Sequence, residues 1–122
     1  MARILVVEDE PRFRHYLVRA LSLEGHDVMS AADGRAASAK AHRFHPDLLV
    51  VDWMLGAGED GAELAARLQA RFPRLGTILI TGHPTDELAN TVELGAIHVL
   101  LGKPFSPATL FAAVSRLARE RS

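Results

Sequence analysis

Four short apolar runs, each ending in a polar group, constrain this chain more than any other feature. They read Ile4-Leu5-Val6-Val7 into Glu8-Asp9, Leu48-Leu49-Val50-Val51 into Asp52, Ile78-Leu79-Ile80 into Thr81, and Val99-Leu100-Leu101 into Gly102-Lys103-Pro104. Longer stretches of helical period lie between them, and this alternation is the signature of βαβ units. The expected fold is a doubly wound α/β domain. In such an open parallel sheet the strand ends on one edge converge, and ligands bind in the crevice outside the carboxyl ends of the strands. Three carboxylates, a hydroxyl and an amine are thereby predicted to share one edge.

Local signals fill in the rest. Pro11, whose missing N–H costs nothing at a first helical position, opens a helix that closes at Gly25, with Phe13, Leu17, Ala20 and Leu21 on its buried stripe. His26 to Ala31 reads as a weaker strand, and Asp33-Gly34 as the turn into an alanine-rich helix over about Arg35 to Arg43. The run from Leu48 to Asp52 has no polar alternation, so both its faces should be covered. A helix from about Ala62 to Arg71 turns Leu64, Ala65 and Leu68 inward. Pro84 or Thr85 opens a helix ending at Gly95. Ser106-Pro107 is an N-cap and N1 pair for a last helix to about Glu120, whose apolar face is Leu110, Val114 and Leu117.

The 122 residues are expected to form one domain, 1–122, able to bury most of its apolar surface without staples. Fourteen basic and 15 acidic residues leave a formal charge of -1, which gives no general pull toward nucleic acid or a membrane surface. Cysteine is absent, which excludes disulfides and thiolate metal sites. Asp52 interrupts the longest apolar run well short of the roughly 20 residues that span a bilayer, and Met1-Ala2-Arg3 leads into a strand with no signal-peptide pattern. A cytoplasmic protein is expected. There is no linker or repeat, and with the last helix running to about Glu120 no output domain is expected within these residues. The only lysines are Lys40 and Lys103, which makes Lys103 conspicuous beside an acidic cluster.

Glu8, Asp9 and Asp52 on one sheet edge repel one another unless a cation is bound or a proton is kept. Oxygen donors without histidine or cysteine favour Mg²⁺, with Mn²⁺ as the alternative, over zinc. Mg²⁺ usually takes one or two carboxylates, several waters and phosphate oxygens. Lys103 as a point charge and Thr81 as a movable donor complete what an incoming phosphoryl group needs, because its transfer is catalysed mostly by positioning and charge neutralisation.

Taken in order, Val7-Glu8-Asp9-Glu10, Val51-Asp52-Trp53-Met54, Ile80-Thr81-Gly82 and Lys103-Pro104-Phe105 make the chain resemble, end to end, the receiver domain of bacterial two-component response regulators, the single-domain chemotaxis type included. The resemblance implies a flavodoxin-like (βα)5 topology with a five-stranded parallel sheet in the order 2-1-3-4-5. It makes Asp52 the phosphoacceptor, attacking a phosphohistidine on a sensor histidine kinase or histidine phosphotransfer protein. Asp9 and Asp52 would bind Mg²⁺ directly, the backbone carbonyl of Met54 would be a third protein ligand, and Glu8 would act through water. Lys103 would pair with one phosphoryl oxygen and Thr81 would swing to bond another, with a cis bond between Lys103 and Pro104. Such a protein is not an enzyme toward other substrates and supports only its own phosphotransfer and autodephosphorylation. The acyl phosphate would shift a two-state equilibrium and change the surface shown to a downstream protein, over about Thr85 to Leu94, Val99 to Leu101 and Ser106 to Glu120. Arg116, Arg119 and Arg121 suit either a phosphorylation-dependent homodimer through the last helices or a solvated face.

Three positions depart from the family pattern. Gly56 stands where many receivers have proline, Gly61 arrives one residue late, and Leu100 replaces an aromatic residue that usually couples to the threonine. The loop after Asp52 is accordingly expected to be longer and more mobile. Gly56-Ala57-Gly58-Glu59-Asp60-Gly61 is also a literal G-x-G-x-x-G, yet Glu59 and Asp60 would sit where a pyrophosphate needs positive potential. His83, two residues after Thr81, is placed to influence phosphoryl hydrolysis. Two rival readings are a phosphorylation-independent interaction module, which Leu100 favours, and an aspartate-nucleophile phosphatase of the haloacid dehalogenase type. The latter needs a second aspartate where this chain has Met54.

Overall fold

In the computed structural model, which describes residues 1–56, 59–82 and 94–121, the aliphatic runs form five parallel strands. The elements are β1 (Arg3–Val7), α1 (Pro11–Leu23), β2 (Asp27–Ala31), α2 (Gly34–Phe44), β3 (Leu48–Asp52), α3 (Gly61–Arg71), β4 (Gly76–Thr81), a short 3-10 turn (Leu94–Ala96), β5 (Val99–Gly102) and α4 (Pro107–Arg121). The sheet order is β2-β1-β3-β4-β5, as expected. The predicted helix from Pro84 or Thr85 lies, up to residue 93, outside the described residues, as do His83 and the corresponding part of the expected reporting surface. Its expected end at Gly95 falls in the 3-10 turn.

Two apolar layers clamp the sheet, and strand alternation decides which residue joins which. Ile4, Val6, Leu48, Val50, Ile78 and Ile80 face one layer with Leu17 and Leu21 of α1 and Leu110, Val114 and Leu117 of α4. Leu5, Val7, Leu49, Val51 and Leu79 face the other, with Ala37 and Ala41 of α2 and Leu64, Ala65 and Leu68 of α3. Burial of each Val, Leu or Ile stabilises by roughly 1.5–3 kcal/mol, so this double coverage is what fixes the register. β3 is buried at all five positions, whereas β2, at an edge, is only half covered. On α1, Phe13 and Val18 join Leu17 and Leu21 against the core, while Ala20 is only half-buried and joins neither layer.

Caps set where the helices begin. Pro11 is the first residue of α1, and the Glu10 side chain accepts the Phe13 N–H at 2.7 Å. That bond holds Glu10 below the ordinary carboxylate value. Asp60 caps α3 through a reciprocal box with Glu63, and Ser106 Oγ accepts the Thr109 N–H at 3.2 Å ahead of α4. Asp60 is thus a helix cap, and Glu59 pairs with Arg67 at 2.6 Å, so these two acids guard the entry to α3.

At the opposite end of the sheet, a histidine stands immediately before each edge strand. His26 Nδ1 accepts the Ala2 N–H and His98 Nδ1 the Thr77 N–H, each at 3.0 Å. Burial lowers the pKa of both rings, which keeps them neutral and able to accept.

Candidate functional site

β1 and β3 are neighbours, with Val7 opposite Val51, so the residues that follow them arrive together. Glu8 is only 2% exposed, which rules out a solvated cap for that residue, while Asp9 is exposed. Asp52, the last residue of β3, is 6% exposed. Its Oδ1 accepts the Met54 N–H at 2.9 Å, and its Oδ2 lies 2.6 Å from Lys103 Nζ. Lys103 follows β5, two strands away, and its own N–H donates to the Thr81 carbonyl at 2.7 Å. The peptide bond from Lys103 to Pro104 is cis. Thr81, 1% exposed, ends β4 one residue beyond the partner of Asp52 in the ladder.

The electrostatics are those of an overcrowded acidic corner. Glu8 Oε1 accepts the Glu10 N–H at 3.0 Å, while Oε2 is buried with no hydrogen-bond donor among the described residues. Burial, and next the adjoining Asp52 carboxyl, push Glu8 up to about 8. Its second oxygen must therefore either carry a proton toward Asp52 or be answered by a cation or water. An orphaned oxygen beside a buried carboxylate is a donor set that fits a hard divalent ion. No group of three acidic or histidine side chains among the described residues forms a cage by itself. The three carboxylates expected to meet are thus not drawn into one ligand set: Glu8 and Asp52 adjoin, while Asp9 is exposed and lies against Gly56.

The loop after Asp52 is shaped by two glycines. Gly56 has φ +81°, and a Cβ there would lie 2.7 Å from Asp9 Oδ2, so the loop folds back against Asp9. Proline, fixed near φ -65°, could not follow this path. Ala57 and Gly58 lie outside the described residues. Gly61 abuts Asp52 itself: a Cβ on it would lie 2.2 Å from the Asp52 carbonyl oxygen, and its N–H donates to the Trp53 carbonyl at 2.8 Å. The exposed side chain of Met54 points away from the core, while its amide is committed to Asp52. Leu100 is 37% exposed on β5, with no aromatic ring in its place.

Of the side chains expected at one edge, the structure brings Glu8, Asp52, Thr81 and Lys103 there, while Asp9 follows Glu8 and is exposed. Sequence reasoning missed Phe13, whose ring lies 4.6 Å from Lys103 Nζ. It also missed Arg67, which grips Glu59 through two nitrogens and Ser38 through a third. Its periodicity assigns Phe13 to the core, and only the spacing from Pro11 places it on the first turn beside the strand ends.

A parallel sheet in this order, with an acidic pair and a lysine at its carboxyl edge, defines a receiver-type α/β domain. The chain belongs to the response regulator receiver domain family, whose model matches residues 4–115, and is a receiver of two-component signal transduction. Among characterised relatives it is similar to the transcriptional regulatory protein TcrA of Mycobacterium tuberculosis, at 42% identity over 96% of this chain and 46% of that protein. A probable transcriptional regulator, ycf27 of Porphyridium aerugineum, is 35% identical over 96% of this chain and 48% of its own length. The chain therefore spans about half the length of the curated relatives it matches. The receiver protein TrrA of Thermotoga maritima, solved with Mg²⁺ and BeF, superposes with a TM-score of 0.85 at 29% identity, covering 96% of this chain and 99% of that one. A CheY-like receiver from Methanospirillum hungatei gives a TM-score of 0.90 at 25% identity over 99% and 96% of the two chains. Among the described residues no helix is long and apolar enough to cross a membrane.

Proposed function

We propose that Asp52 accepts a phosphoryl group from the phosphohistidine of a sensor histidine kinase or histidine phosphotransfer protein. The observation that carries this is the 2.6 Å contact between Lys103 and Asp52 beside buried Glu8, which joins residues 51 apart in sequence at the carboxyl edge. An Asp52 oxygen attacks phosphorus, the P–N bond breaks, and the imidazole leaves with the electron pair and takes a proton from solvent. Lys103 moves its charge from the carboxylate to a phosphoryl oxygen, and the Thr81 hydroxyl turns to donate to another. Asp9, Asp52 and the Met54 carbonyl would hold Mg²⁺ (or Mn²⁺), with Glu8 acting through water. When bound, the ion neutralises the charge of the approaching phosphoryl oxygens. Hydrolysis of the acyl phosphate resets the protein, and in between a downstream protein reads the altered surface, with no direct contact to nucleic acid or membrane.

The test is incubation with acetyl phosphate and Mg²⁺, followed by a phosphate-affinity gel. A phosphoprotein that forms in the wild type and not in Asp52→Asn is expected. No phosphoprotein, or one that persists in Asp52→Asn, sinks the assignment. A phosphorylation-independent interaction module is the second reading, favoured by exposed Leu100 in place of the family's aromatic residue.

A further inference from the structure

Lys103 is held from two sides. Its Nζ lies 2.6 Å from Asp52 Oδ2 and 4.6 Å from the centroid of the Phe13 ring. Its side chain is 38% exposed, and a lysine stem has four carbons of rotational freedom, so something must keep the ammonium at the acceptor. We propose that Phe13 is a positioning residue for Lys103, its ring face holding the ammonium over Asp52 while a phosphoryl group is transferred. This rests on the reading of Asp52 as acceptor.

The two contacts behave differently as the reaction proceeds. The ion pair is made with the carboxylate of Asp52 itself, so it must be surrendered or shared once that carboxylate becomes an acyl phosphate. The ring contact does not depend on the state of Asp52. A π face attracts a cation over a broad range of directions, so Nζ can shift from carboxylate to phosphoryl oxygen without losing it.

The ring is itself fixed. The Phe13 N–H donates to the Glu10 carboxylate at 2.7 Å, and Arg14 Nη1 donates to the Glu8 carbonyl at 2.8 Å, which ties the first turn of α1 to the strand end. Tyr16 stacks on the ring at 6.0 Å and 14°, and Phe105 meets it edge-on at 6.3 Å and 61°. Core filling alone would be served by leucine. A flat ring buttressed by two aromatic neighbours and facing the one lysine of the site is a more specific arrangement.

Scarcity of lysine makes the test direct. Selective ¹³C,¹⁵N-lysine labelling yields side-chain resonances for Lys103 and for Lys40, an internal control that donates to the Ser30 carbonyl. The ring should shift the Lys103 ε-methylene protons upfield of those of Lys40 in the wild type and in Phe13→Tyr, and this displacement should collapse in Phe13→Leu. Phosphorylation by acetyl phosphate at saturating Mg²⁺ should slow about two- to tenfold in Phe13→Leu and stay within about twofold in Phe13→Tyr. Phe13→pentafluorophenylalanine keeps the shape of the ring and reverses the sign of its face, so it guards against a leucine variant that fails to fold. It should match the leucine variant in rate. Unmoved Lys103 resonances in Phe13→Leu, or a wild-type rate in the pentafluoro variant, overturns the proposal. A wild type that takes up no phosphoryl group overturns the reading of Asp52 instead, and does so before any Phe13 variant is compared.

Discussion

Replacing Glu8 with glutamine should make the metal-free protein more stable, and only above acidic pH. The fold pushes this carboxyl from 4.5 to about 8, chiefly by burial and then by Asp52 beside it. Below about pH 4.5 native and unfolded chains both keep the proton, and the group favours neither state. As pH rises toward 8 the unfolded chain has released a proton that the native state still holds, so Glu8 progressively lowers the stability of the native state. At about 1.36 kcal/mol for each tenfold change in proton affinity, the limit is about 5 kcal/mol. Asp52 and Lys103 relax with the same site, which brings the expectation to about 2–4 kcal/mol. Urea denaturation followed by fluorescence of Trp53, the single tryptophan, measures it from pH 5 to 8.5 in wild type and Glu8→Gln. The variant should gain steadily on the wild type as pH rises. Millimolar Mg²⁺ should close the gap by stabilising the wild type, because the cation displaces the proton. Parallel stability curves for the two proteins would show that Glu8 ionises normally and that the corner is not overcrowded.

Two further expectations concern stability. Gly61→Ala drives a Cβ to 2.2 Å from the Asp52 carbonyl oxygen and 2.9 Å from its carbon, both backbone atoms, so α3 must move. A loss of about 2–4 kcal/mol in urea denaturation is expected, and a loss below about 0.5 kcal/mol would mean that the helix start yields freely. His98→Ala strands the Thr77 N–H and should cost about 1–2 kcal/mol at pH 7. Because the folded pKa of His98 is lowered, the stability it brings is present above about pH 6.5 and is lost as pH falls through the folded value. The gap between variant and wild type should therefore narrow toward pH 5, and a gap that widens would show that the ring accepts no bond.

Much of this architecture was legible because burial on both faces leaves uninterrupted aliphatic runs. Ile4 to Val7, Leu48 to Val51 and Ile78 to Ile80 announce strands, and the polar residue after each announces the functional edge. Helix starts were legible where proline or serine stood in a capping position, as at Pro11 and Ser106. Less could be read where a side chain has two uses. Phe13 has core periodicity and also faces Lys103, and hydrophobic pattern registers only the first. The charge of Asp60 tells against a phosphate-binding loop, but the positive use of its short side chain, accepting the amide of Glu63, depends on where α3 begins. His26 and His98 carry no sequence signal for their roles, since an imidazole that accepts an N–H from a neighbouring strand is specified by the sheet register rather than by adjacent residues.

Gly61 also gives the Asp52 end of β3 a direction. With no side chain of its own, it lets the first turn of α3 rest directly on the backbone of Asp52 and Trp53, like a wall behind a piston. A strand end so backed has no room to retreat toward α3. Bulk and charge added at the Asp52 carboxyl must be accommodated on the opposite side, where Thr81 and Lys103 stand at the ends of β4 and β5. The glycine that opens α3 would thereby decide which half of the sheet feels a group added at Asp52.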